Sequence, residues 1–186
     1  NSQYLTDMMN GDYYGIVKKI TQCVEDDEAV NKIELVSGAV IYADISYDFS
    51  GFGPGDYISY RQNKDGYIWQ EAKLLYDASE NKLNVTNSGF NDSASSVNVV
   101  NVYNKKGSVI QAVNFGSVMA DPNVLNDSYI MDISRATILK YNKSTNKVEN
   151  AMQADIMDYT NSGSDYSSLL LISESSVVKT ALILGK

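Results

Sequence analysis

Six carboxylates, Asp44, Asp48, Asp56, Glu71, Asp155 and Asp158, lie in or beside segments that read as strands, and they are the groups best suited to proton transfer. A suitably spaced pair could protonate a glycosidic oxygen and activate water, a mechanism that needs no other residue type. Composition closes most other routes. The 186 residues include no histidine, which removes Ser-His-Asp and Cys-His nucleophile systems and every imidazole metal site. The single cysteine, Cys23, permits neither an intrachain disulfide nor a Cys-rich zinc site. It is expected to be a buried small hydrophobe, with only Lys18-Lys19 nearby to favour a thiolate. Gly51, Gly53 and Gly55 make a glycine-rich loop, but no helix or P-loop lysine follows to cradle phosphate.

The carboxylates also have a simpler reading. Asp56 and Asp155 each begin an expected strand directly after a turn, where an acid accepts backbone N–H groups and orders the chain. That role is favoured over catalysis. Glu25-Asp26-Asp27-Glu28 and the group Asn123, Asn126, Asp127 lack the spaced acidic loop with a central glycine that wraps calcium, so solvated acidic turns are favoured. The expectation is a non-enzymatic chain with no cofactor and no metal site. A net charge of −8 argues against nucleic-acid binding, which needs a basic footprint.

The remaining chemistry is aromatic. The chain has 14 Tyr against 4 Phe and 1 Trp. Tyr57, Tyr60, Tyr67 and Trp69 fall on one expected hairpin, Asp56–Leu75, and are the candidate ligand-binding residues. By strand alternation Tyr67, Trp69 and Glu71 share one face, and Ile68 and Gln70 the other. With Ile68 inward, Tyr67 and Trp69 form a surface patch on which a sugar could stack. Ordinary cross-strand packing is the alternative.

Short strands and polar turns must position these groups. Expected strands are Tyr14–Val24, Asn31–Val36, Ala39–Ile45, Asp56–Gln62 and Tyr67–Leu75, with a short one at Leu83–Thr86. Val97–Tyr103, Ser108–Phe115, Ser128–Ile133, Ala136–Tyr141, Asp155–Tyr159, Ser168–Ser173 and Ser176–Leu184 follow. Helical signals are weak and confined to Tyr4, Leu5, Met8 and Met9 and to Val148–Met157. The organisation reads as a lead-in over 1–13, a first β unit over 14–76, a connector over 77–96 and a second β unit over 97–186. No apolar run reaches the roughly 18 residues of a membrane helix; the longest is split by Glu174 and Ser175-Ser176. Because the sequence opens on Asn1 and not Met, it is expected to be a processed product or an excised piece.

The two halves read as versions of one unit. Ile33–Ile41 aligns with Ile130–Ile138, Gly55–Tyr60 with Ala154–Tyr159, Tyr67–Leu75 with Ser176–Leu184, and Gly15–Ile20 with Gly107–Ala112. A five-stranded antiparallel sheet with one apolar face lowers its edge problem by curling into a barrel. The expected fold is therefore all-β: two tandem small antiparallel five-stranded barrel-like units, OB-like or SH3-like. One large β-sandwich is the alternative.

Tyr14-Gly15-Ile16-Val17, Gly55-Asp56-Tyr57-Ile58 and Asp65-Gly66-Tyr67-Ile68 resemble the opening strand, strand start and closing hairpin of a known family. This is the non-catalytic β-rich repeat module of S-layer-homology-type cell-surface proteins from Gram-positive anaerobic bacteria. The second unit departs from the pattern, with Ala154 in place of the glycine and Glu174-Ser175 in place of the turn. The resemblance implies a secreted, cell-surface chain serving structure or interaction, with cell-wall polysaccharide or other surface proteins as partners. A carbohydrate-binding module and a phage virion or tail β protein are the competing expectations.

Overall fold

The computed structural model describes residues 12–85 and 95–185. The helical signal at Tyr4, Leu5, Met8 and Met9 and the end of the expected Leu83–Thr86 strand lie outside them. The chain divides into two compact units, the first ending at Asn84 but taking in Ser144–Val148, and the second made of the rest from Val85; the break at 84/85 falls inside the stretch read as a connector. Both units are built from β-strands, as expected.

In the first unit, β1 (Tyr13–Glu25), β2 (Glu28–Leu35) and β3 (Val40–Asp44) form an antiparallel meander. β4 (Tyr57–Tyr60) pairs with the start of β1, β5 (Lys73–Asp77) with β4, and β6 (Lys82–Leu83) with β5. The strand order is β3-β2-β1-β4-β5-β6. β1 serves both partners because it is bent: a bulge between Val17 and Lys19 interrupts its pairing with β2 and breaks its apolar alternation. Asp26 and Asp27, both at positive φ (50° and 65°), make the two-residue turn that matches the twist of β1 and β2. The far end of this ribbon runs past the core. Val24 is 70% exposed there and Cys23 is only half-buried, not the buried hydrophobe expected.

The expected continuous strand Tyr67–Leu75 is broken. Tyr67 bridges Tyr42 in parallel and Ile68 bridges Gln62 in antiparallel fashion; the chain is then irregular until β5. The Tyr42 N–H donates to the Gly66 carbonyl (2.9 Å) and the Ile68 N–H to the Tyr42 carbonyl (2.8 Å). This segment therefore changes partner from β3 to β4, and the change of partner interrupts the strand. The bridges tie the edge strand β3 to the segment after β4 around a core of Val17, Ile33, Leu35, Ile41, Ile58 and Ile68.

In the second unit, β7 (Ser95–Lys106), β8 (Val109–Asn114) and β9 (Tyr129–Asp132) form a meander. β12 (Ser168–Glu174) pairs with β7, and β13 (Val177–Ile183) pairs with β12 and, in parallel, with β9 through Val177 and Asp132. These five strands close a barrel in the order β7-β8-β9-β13-β12, the five-stranded Greek-key order of an OB-like barrel. β10 (Thr137–Asn142) lies parallel on β13 and carries β11 (Lys147–Asn150) at the sheet edge. Val100, Val102, Ile110, Met131, Leu169 and Leu171 fill the interior.

Two expectations fail here. Asp155–Tyr159 is not a strand: it spans the end of a 3-10 turn (Gln153–Asp155) and the start of a helical turn, α1 (Tyr159–Ser162). The Asp155 carboxylate accepts the Met152 N–H at 2.8 Å, and short acidic side chains used this way compete with a strand ladder. The helical signal over Val148–Met157 covers the end of β11 and, for part of its length, that 3-10 turn. The sequence repeat also misassigns most equivalences. By order and pairing, β1, β2, β3 and β4 correspond to β7, β8, β9 and β12. The matched segments Ile33–Ile41 and Gly15–Ile20 are each offset by one strand. Only the match of Tyr67–Leu75 with Ser176–Leu184 sets like beside like, because short apolar strands align in many registers.

Gly15 is required by close packing. A Cβ there would stand 2.5 Å from a terminal methyl of Leu35, which is itself buried. Gly15→Ala is expected to lower unfolding stability by about 1–3 kcal/mol, read as a fall in the urea midpoint.

Candidate functional site

The four aromatic candidates separate into two pairs. β4 lies between β1 and β5, and each of its residues is buried. Tyr57 and Tyr60 are 7% and 5% exposed, so neither is a surface platform, which corrects the expectation. Tyr60 joins the core of the first unit, and Tyr13 stacks on it at 5.7 Å. Tyr14 stacks on Tyr57 at 6.1 Å, and burial pushes the Tyr57 phenol up to about 12. The solvent-facing members of these stacks are Tyr13 and Tyr14, at 39% and 55% exposure.

Tyr67 and Trp69 behave as alternation predicts. Ile68 between them is buried, and both rings are half-buried on the opposite side. Tyr67 lies 5.5 Å from Tyr42 across the parallel bridge, a partner the sequence reading missed. Its signal was the period-2 position of Tyr42 in β3, opposite buried Ile41 and Ala43. Partial burial and the neighbouring Glu25 carboxylate push the Tyr42 phenol up. Partial burial, then Asp26 and Glu25, do the same to Tyr67. The acidic β1–β2 turn thus borders this tyrosine pair. The Trp69 ring carries the Arg61 guanidinium 5.9 Å from its centroid, and Arg61 is also paired with Asp12 at 2.7 Å. The Trp69 indole N–H is buried with no acceptor among the described residues.

The carboxylates serve the backbone. Asp56 Oδ1 accepts the Ala78 N–H and Oδ2 the Gly53 N–H, both at 2.8 Å, tying the β3–β4 loop to the end of β5. Burial pushes Asp56 up to about 6 in spite of these two bonds, and Asp77 adds to the rise. Asp158 accepts the Lys105 N–H at 2.9 Å and bonds from Thr160 and Asn161. Burial would raise it, but these donors outweigh burial and hold it below the usual carboxylate range. Asp44 sits low because the hydroxyl and N–H of Ser46 bond to it, and Asp48 because the Ser50 N–H does. Glu71 is exposed and Asp155 caps a turn. Among the described residues no group of three or more Cys, Asp or Glu is placed to hold a metal ion. No helix among them is long and apolar enough to cross a membrane. No protein-family model matches the chain, and no curated protein matches it.

Asp56 sets a pH dependence. Between the ordinary carboxylate value of about 3.9 and about 6, the folded chain holds a proton that the unfolded chain has released, so raising pH through that window costs stability. Asp56→Asn removes this dependence. It also turns an amide donor toward the Gly53 or Ala78 N–H, costing about 1–3 kcal/mol. Urea midpoints measured from about pH 4 to about pH 6 should fall in the parent relative to Asp56→Asn, whereas parallel curves would remove Asp56 as the source.

Proposed function

We propose that this chain is a non-enzymatic structural or interaction module of a bacterial cell-surface protein. The observation that carries this reading is the use of its buried acids. Asp56 and Asp158, the acidic side chains buried among the described residues, are spent on ordering backbone amides. A glycosidase of the kind left open by the composition would need such carboxylates free to face a substrate. The resemblance of Tyr14–Val17, Gly55–Ile58 and Asp65–Ile68 to the repeat modules of S-layer-homology-type proteins supports an extracellular, wall-associated setting. The turn chemistry of that pattern has physical reasons in this fold: Gly15 admits Leu35, and Gly66 takes φ +83° beside the bridge at Tyr67.

A second reading, carbohydrate binding, is favoured by the Tyr42–Tyr67 pair with Trp69 next in the chain. Tyr42 stands on the third strand, beside the acidic turn after the first. Carboxylates there can accept sugar hydroxyls and would repel a phosphate backbone.

Sedimentation of the full chain with isolated Gram-positive cell walls and with insoluble polysaccharides tests both readings. The module reading expects saturable association with walls, retained in Trp69→Ala and Tyr67→Ala. The carbohydrate reading expects binding to a purified polysaccharide that falls about tenfold in either variant. Absence of wall association together with release of reducing sugar would overturn the first reading in favour of an enzyme.

A further inference from the structure

Tyr47, Phe49 and Phe52 lie on the loop between β3 and β4. Their ring centroids stand 6.3 Å apart for Tyr47–Phe49 and 5.3 Å for Phe49–Phe52. All three pack against the core of the first unit and line a cleft of about 310 Å³. The loop that carries them is tied down. The buried Asn31 amide donates to the carbonyls of Asp44 and Tyr47 (3.2 and 3.1 Å). The Phe52 N–H closes a turn on the Phe49 carbonyl at 3.0 Å, and the Ser50 N–H bonds Asp48 at 2.9 Å. Asp48 and Glu71, both exposed carboxylates, complete the lining, which contains no lysine or arginine.

We propose that this cleft binds a small alkylated ammonium ion. The Phe49 and Phe52 rings meet at 58° and Tyr47 tilts 31° from Phe49, so a compact cation can be held by more than one ring. A flat sugar is served best by a single broad ring face, and the phenylalanines offer it no hydrogen bond. A primary ammonium is strongly hydrated and would lose part of that water against the rings, with the Asp48 and Glu71 carboxylates at the rim as its replacement acceptors. An alkylated ammonium has little hydration to lose, is attracted by the ring quadrupoles and is neutralised by Asp48 and Glu71. The cleft volume lies at the lower end of the range for small-molecule pockets, which suits a ligand of this size. Because the loop is held by its own hydrogen bonds, little ordering is needed on binding. This site shares no residue with the Tyr42, Tyr67 and Trp69 group and is independent of the wall-binding reading.

The test is titration of the full chain with tetramethylammonium and with choline, followed by amide NMR. The neutral carbon isostere of choline and sodium chloride at equal ionic strength are the controls. The expected result is saturable shifts confined to the loop and to Glu71 and Ala72, with a Kd of about 1–10 mM. The neutral isostere should bind at least about tenfold more weakly. Glu71→Gln should weaken binding about threefold, and Phe52→Leu about fivefold. Glu71 is exposed, so its variant carries the test even if Phe52→Leu fails to fold. Absence of saturable shifts, equal binding of the isostere, or affinity unchanged in Glu71→Gln would each overturn the proposal. Wall association without tetramethylammonium binding would sink this site alone, and the reverse result would sink the wall reading alone.

Discussion

Each unit depends on a very short parallel contact between its third strand and its closing segment. In the first unit the contact is a clasp on one residue: Tyr42 donates to Gly66 and accepts from Ile68. In the second, the Asp132 N–H donates to the Ser176 carbonyl at 2.8 Å and Val177 pairs with Asp132. Without this contact a small sheet with one apolar face has two open edges and an uncovered interior. With it the apolar residues converge: Ile41 and Ile68 in one unit, Met131 and Val178 in the other, are each at most 5% exposed. The clasp also decides which rings meet, because it sets Tyr67 beside Tyr42 and turns Ile68 into the core.

Closing a sheet over so few residues leaves loops crossing its ends, and those loops bring polar backbone into the interior. Asp56 and Asp158 answer that requirement, each accepting N–H groups distant in sequence. Their environments differ in one respect. Asp56 is bonded by two backbone N–H groups, and burial wins, so its proton affinity rises. Asp158 has side-chain donors from Thr160 and Asn161 in addition to the Lys105 amide, and its proton affinity falls. Each of these carboxylates, Asp56 before β4 and Asp158 before α1, is thus a fixed part of the loop architecture.

What the molecule leaves available is on its loops and flanks. The β3–β4 loop presents three rings against the core of the first unit, and the Tyr42–Tyr67 pair lies on the flank of its sheet beside an acidic turn. Rigid strands holding aromatic loops are a common arrangement for recognition. Acidic side chains border both places, in a chain whose overall charge is −8.

The all-β class was legible in the sequence because alternation and turn chemistry are local properties. Asn63–Gly66 makes its turn with the Asn63 side chain accepting the Asp65 and Tyr67 N–H groups, and Ile68 faces inward as its neighbours required. The turn role of Asp56 was legible for the same reason. The fate of Tyr57 and Tyr60 was not: the Tyr14 and Tyr13 rings cover them across the β1–β4 pairing, and strand pairing is a long-range property. Two of the four phenylalanines, Phe49 and Phe52, stand close together in a loop otherwise marked by Ser and Gly, and nothing local in that loop says that their rings meet. The Asp155–Tyr159 segment had strand-like alternation, yet its acids captured backbone amides first. By itself the sequence determined the all-β class, the turns and the exclusion of histidine, disulfide and Cys-rich zinc chemistry. Tertiary structure alone decided which strands became neighbours and therefore which aromatic rings were covered, because pairing distant segments is settled by closing the core and not by any local preference.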